Sequence, residues 1–152
     1  MIKSFEIVGA YHTPKNKRKA TKCFPGLNDY LGRCYKGRQE GIEYKQKYKN
    51  ITIRKARLQL KNWKAKGRVR LHYYFGEPID GDYRDQPNIR AFAEKVIEDA
   101  LQDMKVIVDD SPKYLAPSRA TYIYTNKEKP FIRVDIEEIG PLVEIKDIGQ
   151  EE

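Results

Sequence analysis

The chain is poor in the residues that build covalent or metal-centred frameworks: its 152 residues include two cysteines, two histidines and one tryptophan. Cys23 and Cys34 have no CxxC partner and no histidine cluster beside them, which argues against zinc or a redox motif and for reduced, structural thiols. His12 and His72 are far apart, and His72 falls in an alternating pattern, so solvent-facing or hydrogen-bonded histidines are expected rather than ligands. No apolar run approaches membrane-spanning length, and residues 1–9 are too short and too polar for the apolar part of a signal peptide. A cytoplasmic location is therefore expected. The length suits one domain that buries a core without disulfides.

Acidic residues are scarce in one half only. Residues 1–70 carry 20 Lys and Arg against 4 Asp and Glu, a balance of +16, while the remainder carries 10 against 18, a balance of −8. A field of that sign and density attracts a polyanion through phosphate contacts and counterion release. A soluble basic surface is the plainer explanation of the charge alone.

Residues 1–8 read as a strand, with Phe5 and Ile7 alternating against charged neighbours. The basic stretch 11–22 reads as a loop or arm, Pro25-Gly26 marks a turn before a short ordered segment to Leu31, and 32–41 reads as a second basic loop. A helix is predicted over 42–64, with Tyr44, Tyr48, Ile51 and Leu58 at helical spacing. Val69, Leu71, Tyr73 and Phe75 then share one face of a strand over 68–75, and residues 76–87 read as a loop. The clearest element is a second helix in which Ile89, Phe92, Ala93, Val96, Ile97, Ala100, Leu101 and Met104 follow the i, i+3, i+4 pattern. Residues 106–108 read as a short strand-like exit, and 121–125 with 131–136 as a hairpin closed by a loop at 126–130. The acidic segment 140–152 is expected to be a loosely attached tail after a domain spanning 1–139. The expected fold is α+β, a small mixed β-sheet packed against two main helices.

Carboxylates bracket the second helix: Asp85 before it, Asp99 within it, Asp109 and Asp110 beyond it. Carboxylates from separate elements can hold the magnesium or manganese that phosphodiester hydrolysis uses, and they equally cap or solvate helix ends.

The order of these motifs resembles the core of RusA-type Holliday-junction resolvases. The segments are Arg84-Asp85-Gln86-Pro87-Asn88-Ile89, then Lys95-Val96-Ile97-Glu98-Asp99-Ala100-Leu101, then Val108-Asp109-Asp110, with Phe24-Pro25-Gly26-Leu27-Asn28 resembling the family's early Pro-x-x-Asn segment. The resemblance runs from about Phe24 to Glu137. It implies a homodimer that makes paired, Mg2+-dependent (or Mn2+-dependent) nicks in a four-way DNA junction. It implies Asp85 and Asp110 as metal ligands and catalytic carboxylates, and Lys95 as the cation at the scissile phosphate. The family's second motif aspartate falls on Pro87, so either Asn88, Asp109 or Asp82 replaces that ligand, with Asp80 also nearby, or metal binds weakly, or the protein binds junctions without cutting them. DNA contacts are expected from Lys15, Lys17, Arg18, Lys19 and Lys22 of the arm and from Arg33, Lys36 and Arg38. Tyr30, Tyr35 and Phe24 are candidates for stacking on bases at the branch point, with core packing the plainer role for Phe24. A generic RNA-binding domain fits the charge but lacks any RNA-binding motif.

Overall fold

A computed structural model describes residues 1–8, 23–79, 83–125 and 130–143. The arm with Lys15, Lys17, Arg18, Lys19 and Lys22, the acids Asp80 and Asp82, the 126–129 connection and the end of the acidic segment lie outside the described residues.

Strand β1 (Ile2–Val8) turns Phe5 and Ile7 inward, as its alternation predicts. The next two elements depart from expectation. Residues 32–41 are not a loop: helix α1 (Leu27–Lys36) runs through the first part and α2 (Arg38–Leu60) begins in the second. A one-residue joint at Gly37, with φ +150, separates them, a backbone region that favours glycine. Gly41, which reads locally as a loop residue, is buried on α2 where a Cβ would lie 2.7 Å from the Cys34 sulfur. It serves close helix contact rather than flexibility. At the start of α1 the Asp29 carboxylate accepts the Gly26 N–H at 2.8 Å.

Helix α2 buries Gly41, Tyr44, Tyr48, Ile51, Thr52, Ala56 and Leu60. Leu58, expected on this face, is instead 72% exposed, because the 3.6-residue period carries the buried stripe to Ala56 and Leu60. The helix also stops at Leu60, short of residue 64.

Strand β2 (Val69–Pro78) buries Val69, Leu71, Tyr73 and Phe75 as predicted, but continues past Phe75 where a loop was expected. Gly76 makes this possible, since a Cβ there would collide with the ring of Phe131 on the neighbouring strand. Helix α3 (Gln86–Asp103) buries Ile89, Phe92, Ala93, Val96, Ile97, Ala100 and Leu101, the stripe its sequence predicts. Pro87 sits in its first turn, where a missing N–H costs nothing and a fixed φ favours helix. Val106 and Ile107 are buried in turns rather than in a strand, and the Val106 carbonyl accepts the Ala65 N–H at 2.9 Å.

Strands β3 (Arg119–Thr125) and β4 (Phe131–Glu138) complete a four-stranded sheet of order β1-β4-β2-β3. The predicted hairpin is absent: β3 is parallel to β2, while β4 pairs antiparallel with both β1 and β2. Helix α3 returns the chain to the start of β2, so β3 leaves in parallel alongside it. The following strand then takes the opposite edge of β2.

The sheet is mixed, as expected, but the described residues form three helices rather than two, and α1 packs against α2 and α3. Phe24, Tyr30, Tyr44 and Tyr48 gather around Phe92 with ring centroids 4.9–6.2 Å away, joining α1, α2 and α3. No described helix is long and apolar enough to cross a membrane.

Candidate functional site

The end of β2 and the start of α3 are locked by an arginine that the sequence comparison of motifs passed over. Arg84 donates to both carboxylate oxygens of buried Glu77, at 2.8 and 2.9 Å, and to the Phe24 carbonyl at 2.9 Å. Two parallel bonds of this kind fix orientation as well as distance. The next residue, Asp85, is the exposed N-cap of α3, and its side chain makes no capping bond. Asn88 turns back to α1: its Oδ1 accepts the Asn28 N–H at 2.8 Å, and its amide lies against Gly26. That side chain clasps two helices together.

Along α3, Arg90, Glu94 and Glu98 recur every four residues and form a polar stripe beside the apolar one. Arg90 pairs with Glu94 at 2.8 Å and reaches the Ser118 hydroxyl at 2.7 Å, while that hydroxyl donates to Glu94. Beneath the stripe lies the Tyr73 hydroxyl, fully buried and without a hydrogen-bond partner among the described residues. Burial, followed by the charges of Glu98 and Glu94, holds this phenol well above its usual pKa. Burial also pushes the Glu98 carboxyl up to about 7; neighbouring Glu94 adds to the rise, Lys95 opposes it, and Asp110 and Asp99 contribute further. Asp110 thus stands within electrostatic reach of Glu98.

This placement separates the carboxylates that the resemblance joins. Glu98 lies thirteen residues beyond Asp85 in numbering, and at 1.5 Å per residue the helix sets the two about 20 Å apart. Asp85 therefore belongs to the N-terminal end of α3 and Asp110 to the other. Asp109 is engaged locally, its Oδ1 accepting the Ser111 N–H at 2.7 Å; this bonding to Ser111 holds its carboxyl below the usual range. Lys95 lies 3.4 Å from Asp99, whose other oxygen pairs with Lys45 of α2 at 2.9 Å. Among the described residues no three His, Cys, Asp or Glu side chains group to hold a metal ion. Of the expected ligands, Asn88 is engaged by the Asn28 N–H and Asp109 by the Ser111 N–H, and Lys95 faces Asp99. The motif spacing along the chain does not show this, because eighteen residues of helix separate Asp85 from the turn after Asp103.

The basic half has a simpler geometry. Between Tyr44 and Gly76 there is no Asp or Glu, and eleven Lys and Arg. Lys45 and Lys49 are neutralised by Asp99 and Asp103 of α3, at 2.9 and 2.8 Å. Lys47, Arg54, Lys55, Arg57, Lys61, Lys64 and Lys66 form no ion pair among the described residues. On α1, Lys36 is exposed; Arg33 lies 3.5 Å from Glu40 and over the Tyr44 ring, and Arg38 is exposed at the start of α2. Among the stacking candidates, Phe24 is core, Tyr30 stacks on Phe92 at 4.9 Å, and Tyr35 is 87% exposed.

Cys23 and Cys34 form no disulfide, and the His72 ring pairs with the Thr121 hydroxyl at 2.7 Å and stacks on Tyr74, as a satisfied histidine should. The α3 stripe was within reach of sequence reading through its i, i+4, i+8 spacing, whereas Ser118 and Tyr73 join it only through tertiary packing. No protein-family model matches the chain, and the comparison with curated proteins found no match.

Proposed function

We propose that the protein binds branched DNA, the substrate that its resemblance to RusA-type resolvases implies. The observation that carries this reading is the segregation of charge: α3 neutralises Lys45 and Lys49, while Lys47, Arg54, Lys55, Arg57, Lys61, Lys64 and Lys66 form no ion pair among the described residues. Such a surface binds a phosphate backbone through counterion release, and branch geometry rather than base sequence selects the site. A two-fold dimer would present two such surfaces to a four-way junction.

The second reading is Mg2+-dependent or Mn2+-dependent endonuclease activity on the same junctions. The acidic stripe of α3 favours it: burial raises the Glu98 carboxyl to about 7, with the charges of Glu94 and Asp110 adding to the rise, and such a group can exchange a proton near neutral pH. Among the described residues no three His, Cys, Asp or Glu side chains group to hold a metal ion, so no step is routed through one. A synthetic four-way junction, a linear duplex and an RNA duplex of equal length, each incubated with protein and Mg2+, separate the readings. A retarded, intact junction supports binding, and symmetric nicks abolished by EDTA support cleavage. Preference for RNA, or no retention of any substrate, overturns both.

A further inference from the structure

We infer that the outward face of α2 is a track for the backbone of duplex DNA, with Lys47, Arg54, Arg57 and Lys61 as its phosphate contacts. This rests on the reading that the protein binds DNA, and it names the surface that does so.

The register of the helix supplies the first argument. Lys47, Asn50, Arg54, Arg57 and Leu58 fall at offsets of 0, 3, 7, 10 and 11 residues, an arc of about 100° at 100° per residue, with Lys61 just past the last turn. That arc lies on the far side of the helix from Tyr44, Tyr48, Thr52 and Ala56, which face the core. The cations therefore form one row.

Their exposure is the second argument. All four are exposed, and none forms an ion pair among the described residues, Lys47 lying 5.4 Å from the Tyr48 ring centroid, whereas Lys45 and Lys49 on the same helix are held by α3. The helix has acids only in its first two turns, at Glu40 and Glu43, so nothing on α2 itself offsets the row.

Shape and rigidity complete the case. Asn50, Ile53, Arg54, Arg57 and Leu58 line an open groove along this face. From Lys47 to Lys61 the row spans about 21 Å, some six steps of a duplex strand at 3.4 Å each. The helix is pinned at three points: Lys45 to Asp99, Lys49 to Asp103, and Gln59, which exchanges two 2.7 Å hydrogen bonds with the backbone of Glu6. A row of cations on a fixed rod suits the regular spacing of a polyphosphate; an acidic peptide has no such regularity.

The test is the salt dependence of binding, measured by fluorescence anisotropy with a labelled 20-base-pair duplex and a four-way junction. In wild-type protein and in the variant Lys47→Gln, Arg54→Gln, Arg57→Gln, Lys61→Gln, log Kd is plotted against log salt. Each phosphate contact contributes about 0.9 to the slope, so the variant should lose roughly 3 to 4, and its affinity should fall at least tenfold at low salt. Single variants Arg54→Gln and Arg57→Gln should each lower the slope by about one, which keeps the test valid if the fourfold variant folds poorly. If wild type binds and every variant keeps its slope, the track is wrong while DNA binding stands. If wild type does not bind DNA, the underlying reading fails and the track with it. Equal displacement of DNA by polyglutamate of matched charge would overturn duplex DNA as the occupant.

Discussion

Helices α2 and α3 pack against each other, yet they use charge in opposite ways. On α3 the polar residues are bonded within the molecule: Arg90 to Glu94 and Ser118, Asp99 to Lys45, Asp103 to Lys49. On α2 the two lysines facing α3 are neutralised, and the outward cations form no ion pair among the described residues. Residues of one type, a few positions apart on one helix, thus divide into structural and available sets. Composition cannot make that division, because it depends on which side of the helix meets an acidic neighbour.

The largest expected effect tests whether the two helices form one packed layer. Phe92→Ala removes the ring around which Phe24, Tyr30, Tyr44 and Tyr48 gather, and should cost about 3–5 kcal/mol in urea unfolding. A loss below about 1 kcal/mol would mean that α1, α2 and α3 do not share a core. Next comes the lock at the head of α3. Arg84→Met strands the buried Glu77 carboxylate and should cost roughly 3 kcal/mol, while Arg84→Met with Glu77→Leu should recover much of that loss.

A pH experiment sharpens the comparison further. The Glu98 carboxyl is raised in the folded protein from 4.5 to about 7, so folding disfavours its charged form. The resulting penalty is absent below pH 4.5, grows as pH rises, and is complete above about 7. Glu98→Gln should therefore flatten the fall in melting temperature across that window, with its largest advantage over wild type at the alkaline end. Parallel melting curves for the two proteins would place Glu98 in a more hydrated setting.

The smallest effect is the most direct test of structural against available lysines. Lys49→Ala should cost under about 1 kcal/mol by losing the pair with Asp103, and Arg57→Ala should change stability by less than about 0.5 kcal/mol. Equal losses would erase the distinction.

The sequence was most informative where local period and tertiary burial agree. The apolar stripe of α3 and the inner face of β2 are readable for that reason, and both match the fold. Gly32, Gly37 and Gly41 suggested a loop because glycine's two uses, freedom and closeness, look identical in a sequence; only Gly37 uses the first. The hairpin reading failed for another reason: two nearby strands gain more by flanking the apolar β2 than by pairing with each other. The same lesson applies to the site. Asp85 has suggestive neighbours in the chain, yet it caps the start of α3, whereas the charge of Asp110 acts on Glu98 thirteen residues further along.

The strand order has a consequence for how the polypeptide reaches this state. Strand β4, the last in the sheet, is inserted between the first strand and β2, so residues 2–8 have no sheet partner until residues 131–138 arrive. Contacts between such distant parts slow folding and delay it during synthesis. The helical layer can form on a partly made chain, but a chain ending before Phe131 would hold its opening segment only through α2, by contacts such as Gln59 with Glu6, and would leave one edge of β2 bare.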